Sequence, residues 1–524
     1  RRGLQLRRSA HSRASGRNTL LVFVALVVSG CAGGARPEAT VEIDLGAVAN
    51  VMRGGIGASW HAIETPIPVT DGRSEGGSAW GGNPDPSDEA RWRQLEGHAD
   101  WLGLDWLRVE IEQRMYEPAE GRFDWDNREM LILERILDWC DRRGADVLLQ
   151  QMWGNVDWNT FPEWRGNARR RVHSGPLSLE AYANGLASVV EYLVRDQGHA
   201  SIRWLGIVNE PGHGWSWWLR PPRNPMPLTP GLEAVRRALD ERSLEVPLAG
   251  PGWTYLPRLD PAAIDFDHLV GAYDLHSYFA QFDGWEGGRY SISEAVSRMR
   301  EWVDWSHTRG KPFFLSELGS MAFGWGRSDP GPGSFEAGLK DAELVIRGLG
   351  VGVDAFNRWS FVNRGDLDGQ WQLVDTWDAE AGTLRSRFTP HPNSYFLYGL
   401  LSRFTARNSE VLTTTVVDRV APGHVFAAAL RAPSGALTLL AINDDVADRR
   451  VRFELAGLAG ELALFRYAVE PDDRDRSDLR LDPLDRTEVT PGRNAFEADL
   501  PGRSLTVFST YALDHDEPGV TTDP

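Results

Sequence analysis

The sequence predicts an α/β fold, a parallel (β/α)8 TIM barrel followed by a C-terminal β-sandwich domain. Two apolar runs predict the barrel: Ile202–Pro211, which stops at Asn-Glu-Pro, and Pro312–Ser320, which holds a glutamate followed closely by a glycine. Such runs are typical of buried strands, and parallel barrels collect their functional side chains at the strand ends. The sandwich is predicted by closely spaced strand signals without intervening helices after residue 404.

Glu210 and Glu317 each stand at the end of one of these runs, 107 positions apart in the sequence (317 − 210 = 107). That separation leaves room for about three βα units of the usual barrel size. Retaining glycoside hydrolysis needs two carboxyl groups at one site, a proton donor and a nucleophile. The sequence therefore indicates two strand-end carboxyl groups that could share one site.

Asn-Glu-Pro at residues 209–211 and Ser-Glu-Leu-Gly at residues 316–319 resemble the fourth and seventh strands of clan A glycoside hydrolases. The resemblance covers roughly residues 56–404 and implies a (β/α)8 barrel that acts with retention of configuration. It implies Glu210 as the acid/base and Glu317 as the nucleophile, without a metal or an organic cofactor. The tail and an early strand at Val41 resemble the side domain of family 30, and families 39 and 5 stay open as alternatives.

The remaining barrel elements follow from apolar runs and helical periodicity. Pro211 is expected to end the fourth strand and to bias Glu210 towards an extended backbone. The predicted strands are Gly54–His61, Trp106–Glu110, Val147–Gln151, Ile202–Glu210, Val246–Gly250, Ala272–Tyr278, Pro312–Ser320 and Asp354–Ser360. The predicted helices are Asp88–Leu104, Leu131–Arg143, Leu179–Asp196 and His391–Phe404.

Arg108 stands on an apolar strand, where a buried cation is expensive unless it is paired. The resemblance implies that it supports Glu317. A structural salt bridge with Glu110 or Glu112 is the alternative, and we favour the first interpretation.

Further supporting residues come from the same resemblance. Tyr278, at the end of a His-x-Tyr sequence, matches the tyrosine that hydrogen-bonds the nucleophile, and His276 would be its neighbour. Asn209 would hold the sugar 2-hydroxyl group, and Trp359 matches an aromatic residue that floors the site.

Trp is abundant in this chain, with 22 residues, and its flat face suits the apolar face of a sugar as well as a protein core. Trp153 is expected to wall the subsite of the cleaved sugar, and Trp60 and His61 could line the pocket or simply pack. The tryptophans and His213 that follow the fourth strand could form a sugar platform or a packed loop; those tryptophans are Trp215, Trp217 and Trp218.

The C-terminal strand signals are Val411–Val417, His424–Leu430, Ala436–Ile442, Val451–Leu455, Glu461–Tyr467 and Ser504–Tyr511, with Pro471–Glu488 expected as a charged loop. The predicted domains are a signal peptide over residues 1–31, a tether and first strand over 32–45, the barrel over 46–404, the sandwich over 405–515 and a tail over 516–524.

Export is predicted from a basic start, a short apolar run at residues 19–28 and Val-Ser-Gly-Cys at residues 28–31. This arrangement resembles a bacterial lipobox with Cys31 as the lipidated residue; an ordinary signal peptide is the alternative. Because position 1 is Arg, the recorded start is not expected to be the true one. The other cysteine, Cys140, is expected to be a small buried hydrophobe.

The predicted function is retaining hydrolysis of an equatorial, β-type O-glycosidic bond in an oligo- or polysaccharide. The alternatives are a transglycosylase with the same glutamates and a non-catalytic surface protein that binds glycans. The expected partners are a carbohydrate and, through a lipid on Cys31 alone, a membrane. The net charge of −18 argues against nucleic acid. The protein is expected to be a lipoprotein of the bacterial cell envelope or, otherwise, to be secreted.

Overall fold

The structure, a computed structural model, describes residues 37–64, 81–212, 217–254, 256–279, 291–320, 331–365, 369–420, 422–476 and 479–513. The chain divides into two compact units, Arg1–Arg36 and Pro37–Pro524, and every described residue belongs to the second unit. The predicted signal peptide, Cys31 and the predicted tail lie outside the described residues. None of the described helices is long and apolar enough to cross a membrane.

Eight parallel strands form the central sheet. The first strand pairs with the eighth, and a bridge from Ser59 to Arg108 links the first to the second. Trp60 N donates to Arg108 O at 2.9 Å at this junction, so the predicted barrel is confirmed. The barrel strands are Gly55–Ala58, Trp106–Glu112, Asp146–Trp153, Ile202–Gly206, Leu248–Trp253, Val270–Phe279, Phe313–Ser320 and Ala355–Arg358.

The helix Arg128–Arg143 illustrates how capping residues determine where a helix begins and ends. The Asn127 side chain accepts hydrogen bonds from the first turn and begins the helix, and Gly144 ends it with a φ of 74°. Cys140 lies on its buried face, as predicted. The other helices are Glu89–Leu102, Gln113–Tyr116, Ala168–Arg171, Leu179–Glu191, Thr229–Glu241, Ile292–His307, Phe335–Val351 and Tyr395–Arg403.

Short turns and hairpins complete the barrel. Tyr192–Asp196 continues the helix Leu179–Glu191 as a π-helical turn. Between the fifth and sixth strands the described residues form three 3-10 turns in place of a helix: Leu256–Arg258, Pro261–Ala263 and Asp267–Leu269. Two further 3-10 turns are Pro162–Trp164 and Gly331–Gly333, and two small hairpins are Leu219–Arg220 with Asn224–Pro225 and Val374–Asp378 with Thr383–Pro390.

Nine strands form a second, mixed sheet that folds over itself. Phe453 and Phe508 are on strands five places apart in this sheet, about 24 Å if it were flat. Their ring centroids are 5.0 Å apart, so the sheet encloses its own core, as predicted for a sandwich. Its strands are Ala39–Met52, Ser409–Asp418, Val425–Arg431, Leu437–Asn443, Arg449–Ala456, Leu462–Val469, Asp485–Val489, Ala495–Leu500 and Ser504–Ser509.

The prediction of a loop over Pro471–Glu488 is wrong at both ends. Pro471–Asp475 is a 3-10 turn, and Asp485–Val489 is a strand that pairs with Leu462–Val469. This strand lies at the sheet edge and is mostly exposed, so it lacks the apolar alternation that identifies a strand in sequence. Ala495–Leu500 was not predicted either. The strand Ala39–Met52 runs across the predicted boundary between residues 45 and 46.

Candidate active site

Glu317 and Glu210 lie at the same end of the barrel, because parallel strands present their carboxyl ends on one face. Glu317 lies within the seventh strand, and Glu210 follows the fourth strand, which ends at Gly206. Both side chains are almost buried, with exposed fractions of 5% and 7%. One oxygen of each carboxylate and a ring nitrogen of His276 lie within 4.8 Å of one another.

Glu317 is held by a cation and a hydroxyl group. Arg108 Nη1 lies 2.5 Å from Glu317 Oε1, and the Tyr278 hydroxyl donates to Glu317 Oε2 at 2.6 Å. Both contacts stabilise a negative charge on this carboxylate. They are the two contacts that the sequence resemblance implied for these residues.

Arg108 is fully buried and serves several partners at once. Nη1 also donates to Glu110 Oε1 at 2.8 Å, and Nη2 donates to Asn209 Oδ1 at 2.6 Å. Burial lowers the pKa of Arg108, but the charges of Glu317 and Glu110 outweigh that effect and raise it. The two interpretations of Arg108 are therefore both correct, since it pairs with Glu317 and with Glu110.

Glu110 is a site residue that sequence reasoning named only as a structural partner. Its side chain is fully buried, and burial raises its pKa to about 7 against the opposing effect of Arg108. Below that pH Glu110 is mostly neutral, so the positive charge of Arg108 then interacts mainly with Glu317. Its position two residues after Arg108 puts both side chains on the same side of the strand, which is the signal that could have found it.

His276 lies between the two glutamates. Its Nδ1 is 2.9 Å from Glu210 Oε1 and 3.4 Å from Glu317 Oε2. Burial lowers the pKa of His276 to about 4, although the charge of Glu317 raises it, so the ring is neutral near pH 7. By distance Glu210, His276 and Glu317 could also hold a metal ion, but Arg108 already balances the charge of Glu317.

The backbone of Glu210 differs from the prediction. Its φ is 43°, in the left-handed region, so the expectation of an extended conformation set by Pro211 is wrong. Residues other than glycine adopt such values rarely, and mostly where tertiary contacts demand it. Here Glu210 N donates to Gly252 O at 3.0 Å, and the side chain contacts His276.

The predicted aromatic residues of the site lie at the ends of barrel strands or shortly after them. Trp153 ends the third strand, Trp359 directly follows the eighth, and the rings of Trp359 and His61 are 6.2 Å apart. Burial lowers the pKa of His61 to about 3, so this ring is neutral. The structure favours the packing alternative for Trp60, whose side chain is fully buried against Trp92, Trp139 and Phe361.

Trp371, which the sequence places on a long loop over the mouth of the barrel, packs against a residue of the site. Its ring centroid is 5.5 Å from that of Tyr278, and a Cβ at Gly319 would lie 2.7 Å from it. The glycine after Glu317 therefore makes room for the tryptophan that packs on Tyr278. Trp217 and Trp218 are fully buried, so they form a packed loop, whereas Trp215 and His213 lie outside the described residues.

Several of the solved structures that are similar to this chain are glycoside hydrolases. The glycoside hydrolase family 30 subfamily 8 xylanase of Clostridium acetobutylicum matches with a TM-score of 0.58 and 16% identity, over 90% of this chain and 99% of its own. The bacterial orthologue of human α-L-iduronidase matches with a TM-score of 0.58 and 14% identity, over 91% of this chain and 84% of its own.

A conserved exported protein of Bacteroides fragilis matches with a TM-score of 0.60 and 12% identity, over 90% of this chain and 100% of its own. At these identities the likeness concerns the fold. It confirms a barrel with a β-rich side domain, the fold that the resemblance to families 30 and 39 implied. No protein-family model matches the chain, and no curated protein matches it in sequence.

Proposed function

We propose that this chain is a retaining glycoside hydrolase that cleaves an equatorial O-glycosidic bond in an oligo- or polysaccharide. The observation that carries the proposal is the environment of Glu317, held between Arg108 and Tyr278 and facing Glu210 across less than 4.8 Å. The proposal is further supported by the xylanases and the iduronidase orthologue that share the fold.

The separation of the two carboxylates favours retention over inversion. Retaining enzymes keep their carboxyl groups about 5–5.5 Å apart, whereas inverting enzymes need about 6.5–9.5 Å to admit a water molecule between them. Oxygens of Glu210 and Glu317 within 4.8 Å agree with the shorter distance.

Each glutamate has its own task in this mechanism. Glu317, held by Arg108 and Tyr278, attacks the anomeric carbon while Glu210 gives its proton to the departing glycosidic oxygen. A covalent glycosyl ester on Glu317 results. Glu210 then takes a proton from the incoming water, which attacks the same carbon and releases Glu317.

Asn209 and His276 position the reacting groups. The Asn209 side-chain oxygen accepts from Arg108, so its amide N–H groups point away from that cation and can donate to the sugar 2-hydroxyl group. The hydrogen bond between His276 Nδ1 and Glu210 Oε1, at 2.9 Å, fixes the orientation of that carboxyl group. Trp153 and Trp359 offer apolar surface to the sugar ring.

Sugar release tests this proposal. The wild-type chain and Glu317→Gln are incubated with a panel of β-glycans, with Glu96→Gln, a glutamate of the helix Glu89–Leu102, as the matched control. We expect release by the wild type and the control and none by Glu317→Gln. The anomeric configuration of the first product, followed by NMR, should be that of the substrate; an inverted product would contradict retention.

Other outcomes would favour the alternative functions. Transfer to an excess of acceptor sugar, with little free reducing sugar, would indicate a transglycosylase with the same glutamates. Glycan binding without any released product would indicate a non-catalytic binding protein.

We also propose that the protein is an exported lipoprotein with lipid on Cys31. The basic start, the apolar run and Cys31 support this, and a protein of the same fold from Bacteroides fragilis is described as exported. Labelled palmitate should enter the wild-type protein in a bacterial host and should not enter Cys31→Ser.

A further inference from the structure

A pocket of about 350 Å³ is lined by residues that do not belong to the glutamate cluster. Its volume is in the range of small-ligand sites, roughly 300–1,000 Å³. The base is buried, because Trp164 and His173 are nearly inaccessible. The polar wall is mostly cationic: the lining includes Trp164, Asn167, Arg169, Arg170, His173 and Arg223.

The three arginines of this pocket, Arg169, Arg170 and Arg223, form no ion pair with any carboxylate of the described residues. Arg171, which is next to them, differs: it pairs with Asp157 at 2.9 Å and donates to Asn155 at 3.0 Å. The net charge of the whole chain, by contrast, is −18. The pocket is therefore a local positive site on an acidic protein.

The pocket lies on the face of the barrel that carries the two glutamates. Arg169, Arg170 and His173 belong to the loop after the third strand, and Arg223 belongs to the loop after the fourth strand, the same loop that begins at Glu210. Backbone hydrogen bonds join the two loops, from Leu219 N to His173 O at 3.1 Å and from Gly175 N to Leu219 O at 2.8 Å.

We propose that this pocket binds an anionic substituent, a carboxylate or a sulfate group, of the glycan that the glutamates cleave. The inference rests on the proposed glycosidase function. Guanidinium groups bind carboxylate and sulfate-like oxygens through paired, charge-assisted hydrogen bonds, and three of them converge here without a protein anion. A glycan chain that crosses the glutamates continues over the same face, where the loops after the third and fourth strands meet.

The size of the pocket and the net charge of the chain indicate which kind of anion can bind. A long polyanion such as nucleic acid would meet the repulsion of the −18 net charge beyond the pocket, whereas a single anionic group would contact only the arginines. The substrate class is therefore an acidic polysaccharide with spaced carboxylate or sulfate groups.

The test measures binding in the full chain with Glu317→Gln, so that no cleavage interferes. Electrophoretic retardation is compared in gels that contain glucuronoxylan, whose carboxylates are spaced along the chain, and in gels that contain the denser polyanions polygalacturonate, alginate or dermatan sulfate, each beside its carboxyl-reduced or desulfated form. We expect retardation by at least one acidic glycan and at least tenfold weaker retardation by its neutralised form. Loss of retardation in a carboxyl-reduced glycan would identify a carboxylate as the bound group, and loss in a desulfated glycan would identify a sulfate.

Variants of the pocket complete the experiment. Arg170→Ala with Arg223→Ala should weaken retardation about tenfold, whereas Arg220→Ala, an exposed arginine of the same loop that does not line the pocket, should not. No retardation by any acidic glycan, or an equal loss in both variants, would overturn the inference. Hydrolysis is scored separately with the active chain, so a silent enzyme that still binds acidic glycans through the arginines refutes only the proposed function.

Discussion

Glu210 and Glu317 are the same type of residue on the same face of the barrel, yet their surroundings differ. Glu317 contacts a buried cation and a hydroxyl donor, Arg108 and Tyr278, at 2.5 and 2.6 Å. Glu210 contacts His276, which burial keeps neutral because its pKa is lowered to about 4. The comparison teaches that neighbours at hydrogen-bond distance, and not residue type, distinguish the two carboxyl groups.

The largest expected effect is the loss of kcat when either glutamate is replaced, and chemical rescue then distinguishes the role of Glu210 from that of Glu317. Glu317→Ala and Glu210→Ala should each lower kcat on an unactivated glycoside by about 10⁴-fold, because each removes a group that acts in the transition state. With a dinitrophenyl glycoside and added azide, Glu210→Ala should form a glycosyl azide of retained configuration and Glu317→Ala one of inverted configuration. The same configuration from both variants would contradict the division of tasks.

Tyr278→Phe removes one of the two groups that distinguish Glu317. We expect kcat to fall about 10- to 100-fold, because a hydrogen bond to a charged group is worth about 1.5–3 kcal/mol. Tyr192→Phe is the matched control: its hydroxyl donates to Glu134 at 2.6 Å on a helix outside the site. Steady-state kinetics of both variants check this, and an equal loss in the control would contradict it.

Glu110→Gln tests whether a third carboxyl group competes for Arg108. The pKa of Glu110 is raised to about 7 in the folded protein, from 4.5 as its ordinary value. Between these values the folded state binds a proton that the unfolded state has lost, so the free energy of unfolding falls as pH rises from 4.5 to 7.

Relative to Glu110→Gln, the wild type should therefore lose stability across this window, by about 3 kcal/mol at most. Urea unfolding of both proteins between pH 4.5 and 8 measures the difference. Parallel stability curves would show that Glu110 is ionised throughout and competes with Glu317 at every pH.

The smallest expected effect distinguishes Trp60 from Trp359, two tryptophans that the sequence analysis named as candidates for the same site. Trp60→Phe should lower the free energy of unfolding by about 1–3 kcal/mol and leave KM unchanged, because its ring packs in the core. Trp359→Phe, the same change at the end of the eighth strand, should alter KM with a smaller loss of stability. A change of KM in Trp60→Phe would contradict the assignment of Trp60 to the core.

The barrel was readable because its strands are buried on both faces and are therefore continuous apolar runs. The predicted runs around residues 106, 147, 272 and 313 all match observed barrel strands. Edge strands such as Asp485–Val489 were missed for the opposite reason, since one exposed face and an exposed edge allow charged residues. The pairing of Arg108 and Tyr278 with Glu317 was predicted from motif resemblance and is confirmed as contacts.

By itself the sequence determined that Glu210 and Glu317 lie near the carboxyl ends of two barrel strands, because local apolar patterning marks buried strands. It placed the end of the fourth strand four residues too late, since that strand stops at Gly206. Only the tertiary structure decided the positive φ of Glu210, the burial of Trp60 and the packing of Trp371 on Tyr278. Each of these depends on a contact between residues distant in the chain. Local patterns carry no information about such contacts, since the same short stretch can meet many different neighbours in the folded protein.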